Sequence, residues 1–371
     1  MRLARPTTGN AEAEAVRQVL CAEQPWLSHG PRVEEFETKC RAYLGGRWAV
    51  ALSSATAGLH LTFEYYRRTR KVEYVLMPSF TFVATANAAV AAGLKPLFVD
   101  VDPRTFQVGG EQLEHLRAGV LSKALLCPVL YGGYAGSVPD LEDWAASRGL
   151  PLVWDAAHAF GSEIPGGARV GSTRAPAVFS FYPSKNLTAC EGGMVAGHEE
   201  YALADYLDAA RNQGQSKHIW RQTADKPWEV PFPGYNYRMS EVHAAIALVQ
   251  LGSYEAALVR RRAINEQMRA ALPQFDWQAT DEGSNVHLLA ARLATPAARQ
   301  VFIEQMERRG VEVGIQYPAV HQMSAFGMQY VPLPVTDVLS ERVVTLPSHH
   351  GLSDVEVKLV IEAAQDSLEV P

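Results

Sequence analysis

The sequence predicts an α/β protein. A mostly parallel central sheet is covered by helices, and a smaller C-terminal α+β lobe follows. Three observations carry this. From Trp48 to Val195, short apolar runs alternate with amphipathic stretches. The runs are apolar along their whole length, as expected of strands covered on both faces of a largely parallel sheet. After Val195 the texture changes to longer helical spacing broken by a polar, proline-bearing segment.

The elements follow in order. Trp48 to Leu52 reads as a strand, Ser53 to Thr56 as a small polar turn, and Ala57 to Tyr66 has helical spacing of Leu59, Leu61, Phe63 and Tyr66. Val75 to Met77 is a strand ended by Pro78. An alanine-rich helix runs from Phe82 to Ala92, with Gly93 as its stop signal. Strands follow at Pro96–Val101 and Leu125–Tyr131, then a helix at Leu141–Ser147 with Gly149 behind it. Leu152–Asp155, Ala177–Phe181 and Gly193–Val195 complete the strand series. Glu199 to Arg211 is a helix, Asn212 to Gly234 is irregular, and Met239 to Tyr254 is a helix rich in Ala and Leu. From about Ala256 the order is helix, strand, helix, strand, helix, ending near Leu368.

The 371 residues allow two lobes, and 47% hydrophobic with 20% charged residues is ordinary globular composition. The net charge of −6 argues against nonspecific nucleic-acid binding. The N-terminus shows no signal-peptide pattern, and no run reads as a membrane span, so a cytoplasmic location is expected. Cys21, Cys40, Cys127 and Cys190 are far apart and read as free thiols rather than a metal site or disulfide framework. No P-loop, G-x-G-x-x-G, H-E-x-x-H or G-x-S-x-G motif is present.

Lys185 carries the chemistry. It ends an apolar run, Phe179 to Asn186, thirty residues after Asp155 closes the strand Leu152-Val153-Trp154. Desolvation deprotonates a lysine and makes it a nucleophile toward aldehydes. A lysine Schiff base with an acidic partner for a pyridinium nitrogen is the signature of pyridoxal 5'-phosphate chemistry. In parallel sheets ligands gather at the carboxyl ends of strands, which directs Ser54, Thr56, Asp155 and Lys185 toward one crevice.

Other signals are open when taken singly. Ser54-Ala55-Thr56 opens a helix after a strand, which suits a phosphate but equally an ordinary N-cap. Phe82 suits stacking on a ring or core packing. His158 suits a ring hydroxyl or a structural role. Ser180 suits a phosphate, and Gly192-Gly193 a tight turn or a close backbone approach.

Taken together and in this order, the chain resembles the sugar aminotransferases of the DegT/DnrJ/EryC1/StrS family. Six blocks carry the resemblance. Ser28 to Glu37 is similar to L-S-x-G-P-x-V-x-x-F-E, and Met77 to Thr85 to P-S-F-T-F-x-A-T. Asp155 to Ala159 matches D-A-A-[HQ]-A, and Ser180 to Leu187 with Glu191-Gly192-Gly193 matches S-F-x-x-x-K-N-L…E-G-G. Gly234 to Glu241 reads G-Y-N-Y-R-M-S-E, and Leu346 to Ser353 resembles L-P-x-H-x-G-L-S.

The resemblance implies the aspartate aminotransferase-like fold (fold type I), with residues 1–250 as the large cofactor-binding domain and 251–371 as a small C-terminal domain. It implies that Lys185 forms the Schiff base with pyridoxal 5'-phosphate and later moves the proton. Asp155 pairs with the pyridinium nitrogen, His158 lies near the ring hydroxyl, and Phe82 stacks on the ring. Ala55, Thr56 and Ser180 hold the phosphate beside Ser54, and Asn236 reaches the phosphate in a neighbouring subunit, which makes a homodimer. The implied partners are an amino-donor amino acid such as L-glutamate and a keto-sugar linked to a nucleoside diphosphate. Lys217, Arg238, Tyr317 and His321 are the candidates near that sugar nucleotide. No metal site is expected.

The chain departs from the family pattern in places. Pro128 to Gly132 lacks one residue of P-V-H-L-Y-G. Ala55 stands where glycine or cysteine is frequent, Gln213 replaces a common histidine, and Gln316 to His321 is only loosely like H-Y-x-P-x-H. These positions bear on substrate identity more than on chemistry. Rival readings are a sugar dehydratase of the same family, a non-catalytic regulatory protein on the same scaffold, and a lysine-dependent lyase. The dehydratases carry histidine at the position of Lys185.

Overall fold

The computed structural model describes residues 1–215, 230–327 and 332–368. Seven strands form the central sheet: β1 Trp48–Leu52, β2 Tyr74–Pro78, β3 Lys95–Val99, β4 Ala124–Leu126, β5 Trp154–Asp155, β6 Ala177–Ser180 and β7 Gly193–Gly197. Ladders give the orders β1-β7-β6-β5 and β3-β2-β4. Parallel bridges Leu126–Leu152 and Val129–Asp155 join the two. β7 runs antiparallel to both its neighbours, and the pairs β2–β3, β2–β4 and β5–β6 are parallel. The predicted mostly parallel sheet is therefore present, with β7 its reversed member.

Adjacent strand residues point to opposite faces, and the core divides accordingly. Trp154 and Phe179 join one cluster with Phe36 and Tyr254; Val153 and Val178 join the other with Leu59 and Phe63. The helices supplying these layers include α1 Asn10–Leu20, α2 Pro31–Leu44, α3 Ala55–Arg70, α4 Ala84–Ala91, α5 Ala118–Leu121, α6 Val138–Ser147 and α7 Tyr201–Ala210. α1 and α2 are absent from the element-by-element sequence reading. The strand expected over Leu125–Tyr131 is shorter, because Pro128 cannot donate to a ladder.

α8 Glu241–Ala271 is twice as long as the predicted helix and runs through residues 250 and 251 without a break. Tyr254 and Leu258 pack in the large core, while Ile264 and Met268 pack in the small one. The change of core thus falls within one helix rather than at a linker. An 18-residue window of α8 is also apolar enough to cross a membrane, mean hydropathy 1.4, which corrects the reading that no such run exists. Here α8 packs against α1 and α2.

The remaining elements are β8 Asp276–Trp277, β9 Leu289–Arg292, α9 Pro296–Arg308, α10 Pro334–Arg342, β10 Val343–Leu346 and α11 Asp354–Leu368. β8, β9 and β10 form a small antiparallel sheet in the order β10-β9-β8. Two distant carboxylates tie segments together. Glu241 accepts from the amides of Gly30, Arg32 and Val33 at 2.9, 2.8 and 3.1 Å, capping α2 from 211 residues away. Asp100 does the same for α10, accepting from Val335 and Thr336 amides at 3.0 and 2.8 Å. All four cysteines are free thiols.

Candidate active site

A cavity of about 460 Å³ opens at the carboxyl ends of the parallel strands. Each strand end adds a wall. After β1 come Ser54, Ala55 and Thr56; after β2 come Thr81, Phe82 and Thr85. The end of β5 supplies Asp155 and His158, and the end of β6 supplies Ser180 with Lys185 in the loop beyond. Gln316 and Tyr317 close the space from the second lobe. A larger surface groove of about 570 Å³ lies elsewhere, beside Glu37 and Arg211.

Asp155 is buried. Its Oδ2 accepts the Thr85 hydroxyl at 2.7 Å and its Oδ1 the Ala157 amide at 3.1 Å. Burial pushes this carboxyl above the usual range, and the two hydrogen bonds and the attraction of Lys185 oppose that push. Lys185 is half-buried, and desolvation brings its amine down to about 8 against the pull of Asp155. The amine is therefore available as a base near neutral pH, facing an acid that has too few donors to be comfortable as an anion.

His158 is neutral, held well below the usual imidazole range by burial and by Lys185. Its Nδ1 accepts the Gly132 amide at 3.4 Å, which leaves Nε2–H to donate to the Tyr317 hydroxyl at 3.1 Å. His287 packs under it, ring centroids 4.4 Å apart. Asn186 donates Nδ2 to the Asn285 carbonyl at 3.0 Å and so turns Oδ1 to His287 Nδ1 at 2.9 Å. Phe82 stands at the mouth, 56% exposed, its ring 5.7 Å from that of Tyr317.

The fourth wall is the start of α3. Ser54 caps it, accepting the Ala57 amide at 3.1 Å, so Ala55 and Thr56 sit at the positive end of a sixteen-residue helix. Gly193 of β7 lies directly behind: a Cβ there would stand 2.3 Å from the Ala55 nitrogen. The close-approach reading of this glycine is borne out. Ser180 is half-buried, and its Oγ accepts the Tyr182 amide at 3.4 Å.

The geometry separates the sequence candidates. Ser54, Ala55, Thr56, Phe82, Asp155, His158, Ser180, Lys185 and Tyr317 line one cavity. Asn236, Arg238 and His321 are not among its lining residues. Asn236 is exposed. Arg238 donates to Asn212 Oδ1 at 2.9 Å, and His321 is held between Ser79 at 2.6 Å and Asp337 at 3.2 Å. Lys217 lies outside the described residues. Sequence reasoning missed Thr85 and His287, and it placed Gln316 only within a segment bearing on the substrate. Thr85 closes the Met77–Thr85 block and is legible there; His287 carries no local signal.

A flat ring with an acidic nitrogen, an aldehyde and a phosphate fits these walls: a carboxylate, an amine, an aromatic face and a helix N-terminus converge. The profile of the DegT/DnrJ/EryC1/StrS aminotransferase family matches residues 6–365. TlmJ, an aminotransferase from Streptoalloteichus hindustanus, is 30% identical, with TM-score 0.87 over 99% of this chain and 98% of its own. PseC of Helicobacter pylori, involved in pseudoaminic acid biosynthesis, is 22% identical with TM-score 0.90 over 99% and 98%. Spr1654 of Streptococcus pneumoniae in its PLP form is 24% identical with TM-score 0.87 over 99% and 98%. The last two show the shared fold. Fold and site together define a pyridoxal-phosphate-dependent aminotransferase of the α/β type. The chain belongs to the DegT/DnrJ/EryC1/StrS aminotransferase family.

Proposed function

We propose that this protein moves an amino group from an amino acid, L-glutamate in the first instance, to a keto-sugar carried on a nucleoside diphosphate, as a cytoplasmic homodimer. The observation that carries the chemistry is Lys185, an amine brought to about 8 in the same cavity as buried Asp155. When bound, pyridoxal phosphate supplies an aldehyde for the amino group and a ring that holds electrons from the carbon losing its proton.

The chain's own residues supply the rest. Asp155 keeps a proton on the ring nitrogen, and Thr85 holds the carboxylate in place. With the cofactor bound, Lys185 Nζ would take the proton from the donor's carbon and deliver it to the cofactor's aldehyde carbon, and would reverse that transfer for the acceptor, a base suited to neutral pH. His158 lies near the ring hydroxyl, which would compete with Tyr317 for its Nε2–H, and Phe82 covers the ring face toward the mouth. Ala55 and Thr56 hold the phosphate at the start of α3, with Ser54 shaping the turn and Ser180 adding its hydroxyl. Asn236 serves the phosphate of a second copy. Arg238, Tyr317, His321 and Lys217 are assigned to the sugar nucleotide. Lysine at position 185, rather than histidine, favours amino transfer over dehydration.

The test is turnover. Purified protein is given L-glutamate with a panel of uridine, thymidine and guanosine diphosphate keto-sugars, and 2-oxoglutarate release is read. Release with at least one acceptor, abolished in Lys185→Ala, is expected. A folded, cofactor-loaded protein that releases nothing with any acceptor sinks the sugar-nucleotide reading. Unchanged turnover in Lys185→Ala sinks the assignment of the base.

A further inference from the structure

Beside Ser184, the residue before Lys185, lies a second cavity of about 60 Å³. Its charged and ring-bearing walls are Arg261, His287 and His349, joined by the polar side chains of Ser184, Gln316, Thr345 and Ser348, and among the described residues that line it none is acidic. Ser184 and Gln316 line the catalytic cavity as well, so the two spaces share a wall.

Arg261 is the anomaly. It is 5% exposed, its Nη1 makes one long hydrogen bond to the Ser348 carbonyl at 3.5 Å, and its Nε is buried without a partner. No described carboxylate pairs with it, and burial brings the guanidinium down to about 10, with the Tyr254 phenol opposing that fall. The contrast is Arg211, equally buried, which holds both Glu37 and Asp208. Burying a guanidinium unpaired costs several kcal/mol, so a counter-charge from outside the chain would be strongly favoured here.

The other polar groups that line the cavity add no negative charge. His349 is buried, and its Nδ1 has no partner. Burial, Arg261 and Arg5 bring this imidazole down to about 4. Gln316 accepts the Thr345 hydroxyl on Oε1 at 2.8 Å, which leaves its amide N–H groups to donate. Glu356, the one acid that acts on His349, is engaged outside the cavity by Arg5 at 3.9 Å and by the Ser353 amide at 2.8 Å. A cavity needs roughly 10–15 Å³ of such space to hold one water; this one therefore admits a particle of a few heavy atoms and excludes a nucleotide.

We propose that the Arg261 cavity binds one small monoanion of halide or carboxylate size. Two sources share that chemistry: free chloride, and the side-chain carboxylate of the amino donor passing the Ser184–Gln316 wall. The second rests on the aminotransferase reading and the first does not.

The cofactor-loaded protein is unfolded by heat in chloride and in gluconate at equal ionic strength. Glutamate kinetics are measured beside this, in wild type and in Arg261→Met. A free anion gives a saturating rise of wild-type Tm with chloride, absent in Arg261→Met, with glutamate KM unchanged. The donor carboxylate gives a glutamate KM raised tenfold or more in Arg261→Met, with kcat kept and no chloride effect. If Arg261→Met does not fold, wild-type crystals soaked in bromide or in glutamate decide: density of either beside the guanidinium supports the site. Indifference to chloride, an unchanged KM and only water beside Arg261 overturn it. The chloride arm needs no turnover, so it stands or falls apart from the proposed reaction.

Discussion

Replacing Thr85 by valine removes one hydroxyl from the floor of the active site and little else. Thr85 is 1% exposed and sits in a directed chain. Its hydrogen goes to Asp155 Oδ2 at 2.7 Å, so the Thr81 hydroxyl, 3.3 Å away, is the donor to Thr85. Valine keeps the shape and loses the donor. Asp155 then retains the Ala157 amide as its protein donor, at 3.1 Å. A hydrogen bond to a charged group contributes about 1.5–3 kcal/mol. At about 1.4 kcal/mol per decade, cofactor binding at neutral pH weakens about 10- to 150-fold.

The direction follows from the carboxyl. Asp155 is already raised by burial, and Thr85 opposes that rise. Its loss moves the carboxyl further up, so cofactor binding in the variant falls away at a higher pH than in wild type. The assay is titration of apoenzyme with pyridoxal phosphate, with apo unfolding as a check on the fold. Thr85→Ser restores the donor and stays near wild type. A folded Thr85→Val that binds the cofactor within about threefold of wild type refutes the claim that this hydroxyl supports the carboxylate.

Three further outcomes follow. Because Lys185 titrates at about 8, cofactor capture by apoenzyme rises about tenfold from about pH 7 to about pH 9 and then levels; continued rise to about pH 10.5 would mark an ordinary lysine. Asp155 binds its proton more tightly folded than unfolded, so its contribution to stability is greatest at low pH and declines as pH rises through its raised value. Apo Asp155→Asn therefore gains Tm over wild type increasingly with pH, while losing turnover; a gain that shrinks with pH contradicts this. Gly193→Ala drives a methyl to 2.3 Å from the Ala55 nitrogen. It is expected to destabilise by about 1–3 kcal/mol, read by denaturant unfolding, and to weaken cofactor binding as α3 shifts.

The chemistry was legible where it depends on local order. Asp155 and Lys185 each close an apolar run, and parallel strands bring such ends together whatever lies between them. Supports reaching across the chain were not legible. Glu241 ends a recognisable motif, but nothing near it says that it caps α2 from 211 residues away. Asp100 reads as a strand end and holds α10. α1 is mostly exposed, with only Glu12 and Val19 buried, so its apolar periodicity is weak. α2 carries a legible signal, Val33, Phe36, Cys40 and Leu44 behind Pro31. The sequence reads α8 as two helices meeting near Ala256, because its buried stripe passes from one core to another near Leu258.

Asn236 tests the largest step beyond one chain. It is exposed and does not line its own cavity, so a role at a cofactor phosphate requires a second copy. Two-fold symmetry then makes each site from Lys185 of one subunit and Asn236 of the other. Asn236→Asp sets an anion against the phosphate and weakens its site strongly; Lys185→Ala removes the base. Mixed and reassembled, the two poor variants form hybrid dimers in which one site carries both defects and the other carries neither. With random pairing, about a quarter of all sites are intact, and turnover recovers to about that fraction of wild type. Were Asn236 to act within its own subunit, every hybrid site would carry one defect and mixing would restore nothing.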